Sequence, residues 1–174
     1  MNNIKQQKGL YQILYNIWYN IKLNQGKKTM ANISDTAKYI LQQYGSMSSM
    51  KLQKLCYYSQ AWSLVWDDAP LFNEDFQAWA TGSVCPELFF KLLLKNKSLI
   101  SVDDITGGEG DLTANQKDTI DKVLEHYGSH TAQWLSQLTQ IEEPWQIARE
   151  GVPSGVGCDN IITKESMAMY YGGM

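Results

Sequence analysis

Residues 50–62, MKLQKLCYYSQAW, open with two lysines and run on through leucine, cysteine, two tyrosines and tryptophan with little polar interruption. Leu52, Leu55, Cys56, Ser59 and Trp62 share one face at helical spacing. Tyr58, Ala61 and Val65 carry the apolar surface round the side, and Tyr57 and Leu64 extend it further. A helix that is hydrophobic nearly all round must be enclosed by the rest of the fold. The spacing therefore predicts a central core helix from Met50 to about Trp66, with Lys51 and Lys54 at its solvated amino-terminal end.

The segments on either side read as further helices with a small extended element. Ahead of the core helix, Ser34 is placed to cap a helix through Leu41 that Gly45 ends, and Ser46–Ser49 form a short turn. Behind it, Asp67-Asp68-Ala69-Pro70 is a turn, and Phe76, Ala78 and Ala80 alternate with Gln77 and Trp79 as in a strand that Gly82-Ser83 breaks. Pro86 opens a helix with Leu88, Phe89, Leu92 and Leu93 as its stripe, and Leu99–Ile105 suits a second short strand. Gly107-Gly108-Glu109-Gly110 is a surface loop; it lacks the lysine of a phosphate loop, and its acids repel phosphate. Thr113 and Gln116 make a capping box for a helix that turns Ile120, Val123, Leu124 and Tyr127 inward and ends at Gly128. Ser129 is placed to cap the next helix, with Trp134, Leu135 and Leu138 as its stripe. Pro144 opens a helical turn through Trp145, Ile147 and Ala148, residues 151–160 are irregular, and Thr163 caps a last helix to about Tyr171. The fold class is mainly α (α+β with a small strand element), a single compact helical domain built round a central buried helix.

Length and composition agree with one folded domain: 174 residues, 44% hydrophobic and 19% charged. The net charge of −3 hides an asymmetry. Residues 1–29 hold five lysines and no acid, whereas 30–174 carry 10 basic against 18 acidic side chains, a formal −8. Nucleic-acid binding rests on neutralising phosphates, so an acidic body argues against it. In the basic extension, residues 10–23 (LYQILYNIWYNIKL) are too short and too interrupted for a membrane span, though an interfacial amphipathic helix is conceivable. Residues 25–30 also back-translate to a purine-rich tract ahead of a methionine codon, as in a translated ribosome-binding site. The expectation is then that Met30 is the physiological start. Cys56, Cys85 and Cys158 are unclustered and odd in number, which suits a reducing, cytoplasmic setting.

Candidate chemistry is sparse. His126 and His130 are four residues apart, but Gly128 at a helix end lies between them and no third ligand is evident. Cys85 precedes a helix amino terminus, where a thiolate would be stabilised, without a histidine close in sequence. The acid pairs Asp67-Asp68, Asp103-Asp104 and Glu142-Glu143 read as solvated turns and ends. The helix pair across 34–66 has the outline of a helix-turn-helix, yet offers only Lys51, Gln53 and Lys54 before turning hydrophobic. The expectation is a protein that is not an enzyme and needs neither metal nor cofactor.

Met50-Lys51-Leu52-Gln53-Lys54-Leu55 through Tyr57-Tyr58-Ser59-Gln60-Ala61-Trp62 resembles the signature helix of the Panacea domain family, the SocA-like antitoxins and phage-associated GepA-type proteins. The likeness continues through Pro70-Leu71-Phe72, Phe76-Gln77-Ala78-Trp79, Gly82-Ser83-Val84, Leu135–Leu138, Pro144-Trp145, Ala148-Arg149 and the terminal helix, so it spans 30–174 and leaves 1–29 unmatched. The family usually has proline where this chain has Ser83, and often histidine where it has Gln140. The resemblance implies an antitoxin of a two-gene pair that neutralises a cognate toxin by direct binding, in some members as an adaptor to a protease. A DNA-binding regulator and a phage-encoded partner of host proteins are the alternatives; DNA is disfavoured because the extra helix-turn-helix of some members is missing. A homo-oligomer is compatible with all of this. Lys51, Lys54, Trp66, Phe72, Trp79 and Trp145 are the side chains expected to meet the toxin, since aromatic anchors dominate such interfaces.

Overall fold

The structure, a computed structural model, describes residues 30–106 and 112–174. The readings made for residues 1–29 and for Gly107-Gly108-Glu109-Gly110 lie outside the described residues.

Helix α1, Ile33–Tyr44, begins at Asn32. Asn32 and Asp35 form a capping box, so the cap lies two residues before the expected Ser34. Gly45, at φ +91°, ends the helix in a conformation that suits glycine. Helix α2, Ser49–Trp66, is capped by Ser48 and is the predicted core helix. Every residue from Leu52 to Ala61 is buried, because neighbours close over all sides of it. Helices α4 (Ala114–Tyr127), α5 (Ala132–Ile141) and α7 (Lys164–Gly172) pack most extensively against α2, with α1 beside them.

Strands β1 (Phe76–Trp79) and β2 (Gly82–Val84) form a hairpin, and β3 (Ile161–Ile162) pairs antiparallel on the other edge of β1. The expected break at Gly82-Ser83 is thus the second strand itself. Gly82 supplies the positive φ of +101° that lets the chain reverse after a two-residue turn. Helix α3, Pro86–Leu93, follows with Leu88 and Leu92 inward, but Leu93 faces solvent. The strand expected over Leu99–Ile105 is instead a single bridge between Met47 and Ile100 followed by a 3-10 turn, Val102–Asp104. That turn is nucleated by Asp104, which accepts from Ser101 N, Ser101 Oγ and Lys97 Nζ (2.5 Å). The Lys97 hydrogen bond leads the interactions that hold the Asp104 carboxyl down at about 2.

The Thr113–Gln116 box caps α4 as expected, and Ile120, Val123, Leu124 and Tyr127 are buried. Thr131, not Ser129, caps α5, which leaves Trp134 exposed and only Leu135 fully inward from the expected stripe. The short helix α6, Glu143–Ala148, and the Thr163-capped α7 complete the chain. No helix of the described residues is long and apolar enough to cross a membrane.

Candidate functional site

The polar residues of α2 take hold of backbone rather than solvent. Gln53 brackets Cys85, donating from Nε2 to its carbonyl (3.1 Å) and accepting from its N–H at Oε1 (2.9 Å). Gln60 does the same one helical flank away: Oε1 accepts from Leu71 N (2.7 Å) and Phe72 N (3.3 Å), and Nε2 donates to Phe72 O (2.8 Å). Lys51 Nζ donates to Gly128 O (2.6 Å) and sits over the Tyr44 ring. Lys54 was expected at a wet end, yet it is fully buried, with Nζ donating to Ser83 O at 2.6 Å. Desolvation lowers its pKa to about 7. The helix that carries the sequence signature therefore grips its surroundings with amide and ammonium groups where another fold would use strand pairing.

These clamps converge on the β1–β2 hairpin. From below, Lys54 holds Ser83. From one side, Ser136 Oγ donates to Thr81 O, and Ser83 N donates to Thr139 Oγ1 (3.4 Å). From the other, Trp145 Nε1 donates to Trp79 O (3.0 Å) and Arg149 Nη1 to Ala78 O (2.8 Å). Arg149 is itself buried, stacks on the Trp145 ring, and through Nη2 gathers the carbonyls of Pro153 and Val156. One guanidinium thus ties the glycine-rich loop to β1, as its rigid fork of donors allows.

Beside the hairpin lies an open groove of about 500 Å³ lined by Gln77, Trp79, Ala80, Thr81, Gly157, Cys158 and Asp159. Trp79 is half-buried there, its Nε1 donating to Gln77 Oε1 (2.7 Å) and its ring set edge-on to Phe89. Of the six side chains expected to meet a partner, Trp79 and Trp145 meet at this hairpin. Trp66 is exposed elsewhere, stacked on Trp62 above a smaller cleft shared with Lys122 and His126. Lys51 is half-buried against Gly128. Phe72 and Lys54 are wholly interior, which corrects the placement of Lys54 at a solvated end: Gln60 folds the Leu71-Phe72 backbone inward and the hairpin covers the lysine. The groove residues Gln77, Ala80 and Thr81 and the Gly157–Asp159 wall were not anticipated. The strand alternation placed Gln77 and Trp79 outward, but nothing in the sequence indicated which loop would come to lie beside them.

The remaining candidates change character in the fold. Cys85 is buried, and burial pushes its thiol up to about 11, the opposite of a stabilised thiolate. His126 is exposed and lies edge-on to Tyr127, whereas His130 stacks on Trp134. Glu142 is not solvated as expected; it is buried at the α5–α6 junction, accepting from Tyr171 OH (2.7 Å) and Tyr58 OH (3.1 Å). Desolvation raises its carboxyl to about 7, although the two phenols oppose the shift. In the α1–α2 pair, α2 is enclosed from Leu52 to Ala61, so the central part of a would-be recognition helix is not exposed.

The polar side chains of α2 are spent on clamping the protein's own backbone, and the open features described are grooves and exposed aromatic side chains. Residues 52–146 match the family described as antitoxin SocA-like, Panacea domain, and this chain belongs to that family. Membership gives it an antitoxin-type role and a toxin as its general kind of partner. No curated protein and no solved structure shows a significant match.

Proposed function

We propose that this chain neutralises a cognate toxin by direct binding and occlusion, with the groove beside the hairpin, walled by Trp79, as the contact surface, and that it carries out no chemistry of its own. The observation that supports this most is the convergence of clamps on a hairpin whose outer side is an open, tryptophan-walled groove. Rigid aromatic anchors lose little entropy on binding, and a patch of roughly 800 Å² per partner is enough for a stable complex. The formal −8 of residues 30–174 suits a toxin with a basic face.

The test is co-expression with the toxic product of a neighbouring gene. Wild type restores growth, and Thr81→Arg, which fills the groove from an exposed turn position, does not, while retaining the wild-type melting profile. Equal rescue by Thr81→Arg assigns toxin contact to another surface. Delivery of the bound toxin to a protease extends the same reading, and toxin half-life with and without this chain checks it.

A further inference from the structure

Helix α3 and the turn after it carry a ridge that the toxin reading leaves unused. Phe90, Leu93, Leu94 and Leu99 are 58 to 85% exposed within ten residues of sequence, whereas most large exposed apolar side chains elsewhere among the described residues are dispersed. The ridge borders a shallow groove whose floor includes Leu92 and Ile100. Exposed apolar surface gathered in this way marks an interaction site rather than ordinary surface composition.

Charge is arranged along the ridge with direction. Glu87 lies at its amino end, Lys91 midway, and Lys95 and Lys97 at its carboxyl end, on a body that is otherwise acidic. Glu87 and Lys91 lie one turn apart on α3, and Lys95 follows in the turn just past its end. Lys91 is engaged with Glu87 (3.1 Å) and with Ser34 Oγ (3.0 Å), and Lys97 with Asp104. Lys95 takes part in no ion pair among the described residues. Laying this helix antiparallel against a two-fold copy brings apolar stripe onto apolar stripe and turns the Glu87 end of each toward the lysine end of the other. A surface with both properties is complementary to itself, which a two-fold interface requires.

We propose that the α3 ridge is the interface of a homodimer with antiparallel α3 helices, separate from the toxin groove. The full chain then sediments as a dimer at micromolar concentration. Leu94→Glu, at the most exposed position of the ridge, weakens self-association by at least about tenfold without loss of helical signal, since a charge at the centre of an apolar contact has no partner. Charge reversal provides the geometric test. Glu87→Lys and Lys95→Glu chains each dimerise less well than wild type, because each places like charges opposite one another. Mixed together they pair preferentially, because each supplies what the other lacks. A wild-type monomer, a dimer indifferent to Leu94→Glu, or a mixture no better paired than either variant alone overturns the proposal. Toxin binding lost in Leu94→Glu with a monomeric wild type also overturns it, and reassigns the ridge to the toxin.

Discussion

Lys54 and Glu142 are two buried groups whose ionisation desolvation shifts toward neutrality, and they act in opposite directions. Lys54 titrates at about 7 in the native state against an ordinary value of 10.5, so between those limits the unfolded chain binds more protons and stability rises with pH. Glu142 titrates at about 7 against an ordinary 4.5, so between those limits the native state holds more protons and stability falls as pH rises. Denaturant unfolding across pH is therefore expected to show a shallow minimum near neutrality. In Glu142→Gln the fall between pH 4.5 and 7 is flattened. In Lys54→Met the rise above pH 7 is lost, so that wild-type stability gains on the variant from pH 7 to 10. Profiles for both variants that run parallel to wild type would contradict these assignments. Gln60→Ala removes the partner of two amides and one carbonyl at Leu71-Phe72, and its expected cost is roughly 2–4 kcal/mol by the same measurement.

The β1–β2 hairpin shows at the level of elements why a short strand is stable in a helical protein. Its backbone is held by side chains from α2, α5 and α6 and by Arg149, and Gly82 makes the close approach feasible. A Cβ at position 82 would stand 2.5 Å from Thr139 Oγ1, and φ there is +101°. Gly82→Ala is accordingly expected to cost on the order of 1–3 kcal/mol and to loosen the groove, read as a lowered melting temperature together with faster amide exchange at Trp79. The core helix, the α4 capping box and the Thr163 cap were legible because each depends on residues within one turn. The second strand of the hairpin was not, because Gly82-Ser83 carries a break signal locally, and its pairing with β1 is braced by side chains 29 to 56 residues away. Lys54 was misplaced for the same reason: a lysine near a helix start is solvated unless a distant hairpin folds over it. Glu142 was read as a solvated end because its phenol partners lie 84 residues before and 29 after it.

Taken whole, the molecule separates framework from surface. Gln53, Lys54, Gln60, Trp145 and Arg149 are committed to internal hydrogen bonds, whereas the groove wall at Gly157–Asp159 is loop. This arrangement keeps the internal framework apart from the loop that walls the groove. It also makes a sharp distinction between variants: framework substitutions are expected to lower stability and neutralisation together, groove substitutions neutralisation alone. The most direct measurement is titration of purified toxin with purified wild-type chain and with Thr81→Arg, followed by calorimetry and by the toxin's own activity. Saturable stoichiometric binding that silences the toxin in step with occupancy is expected, with both lost in Thr81→Arg. Silencing at a small fraction of one equivalent, as turnover would give, or silencing without any complex, would contradict it.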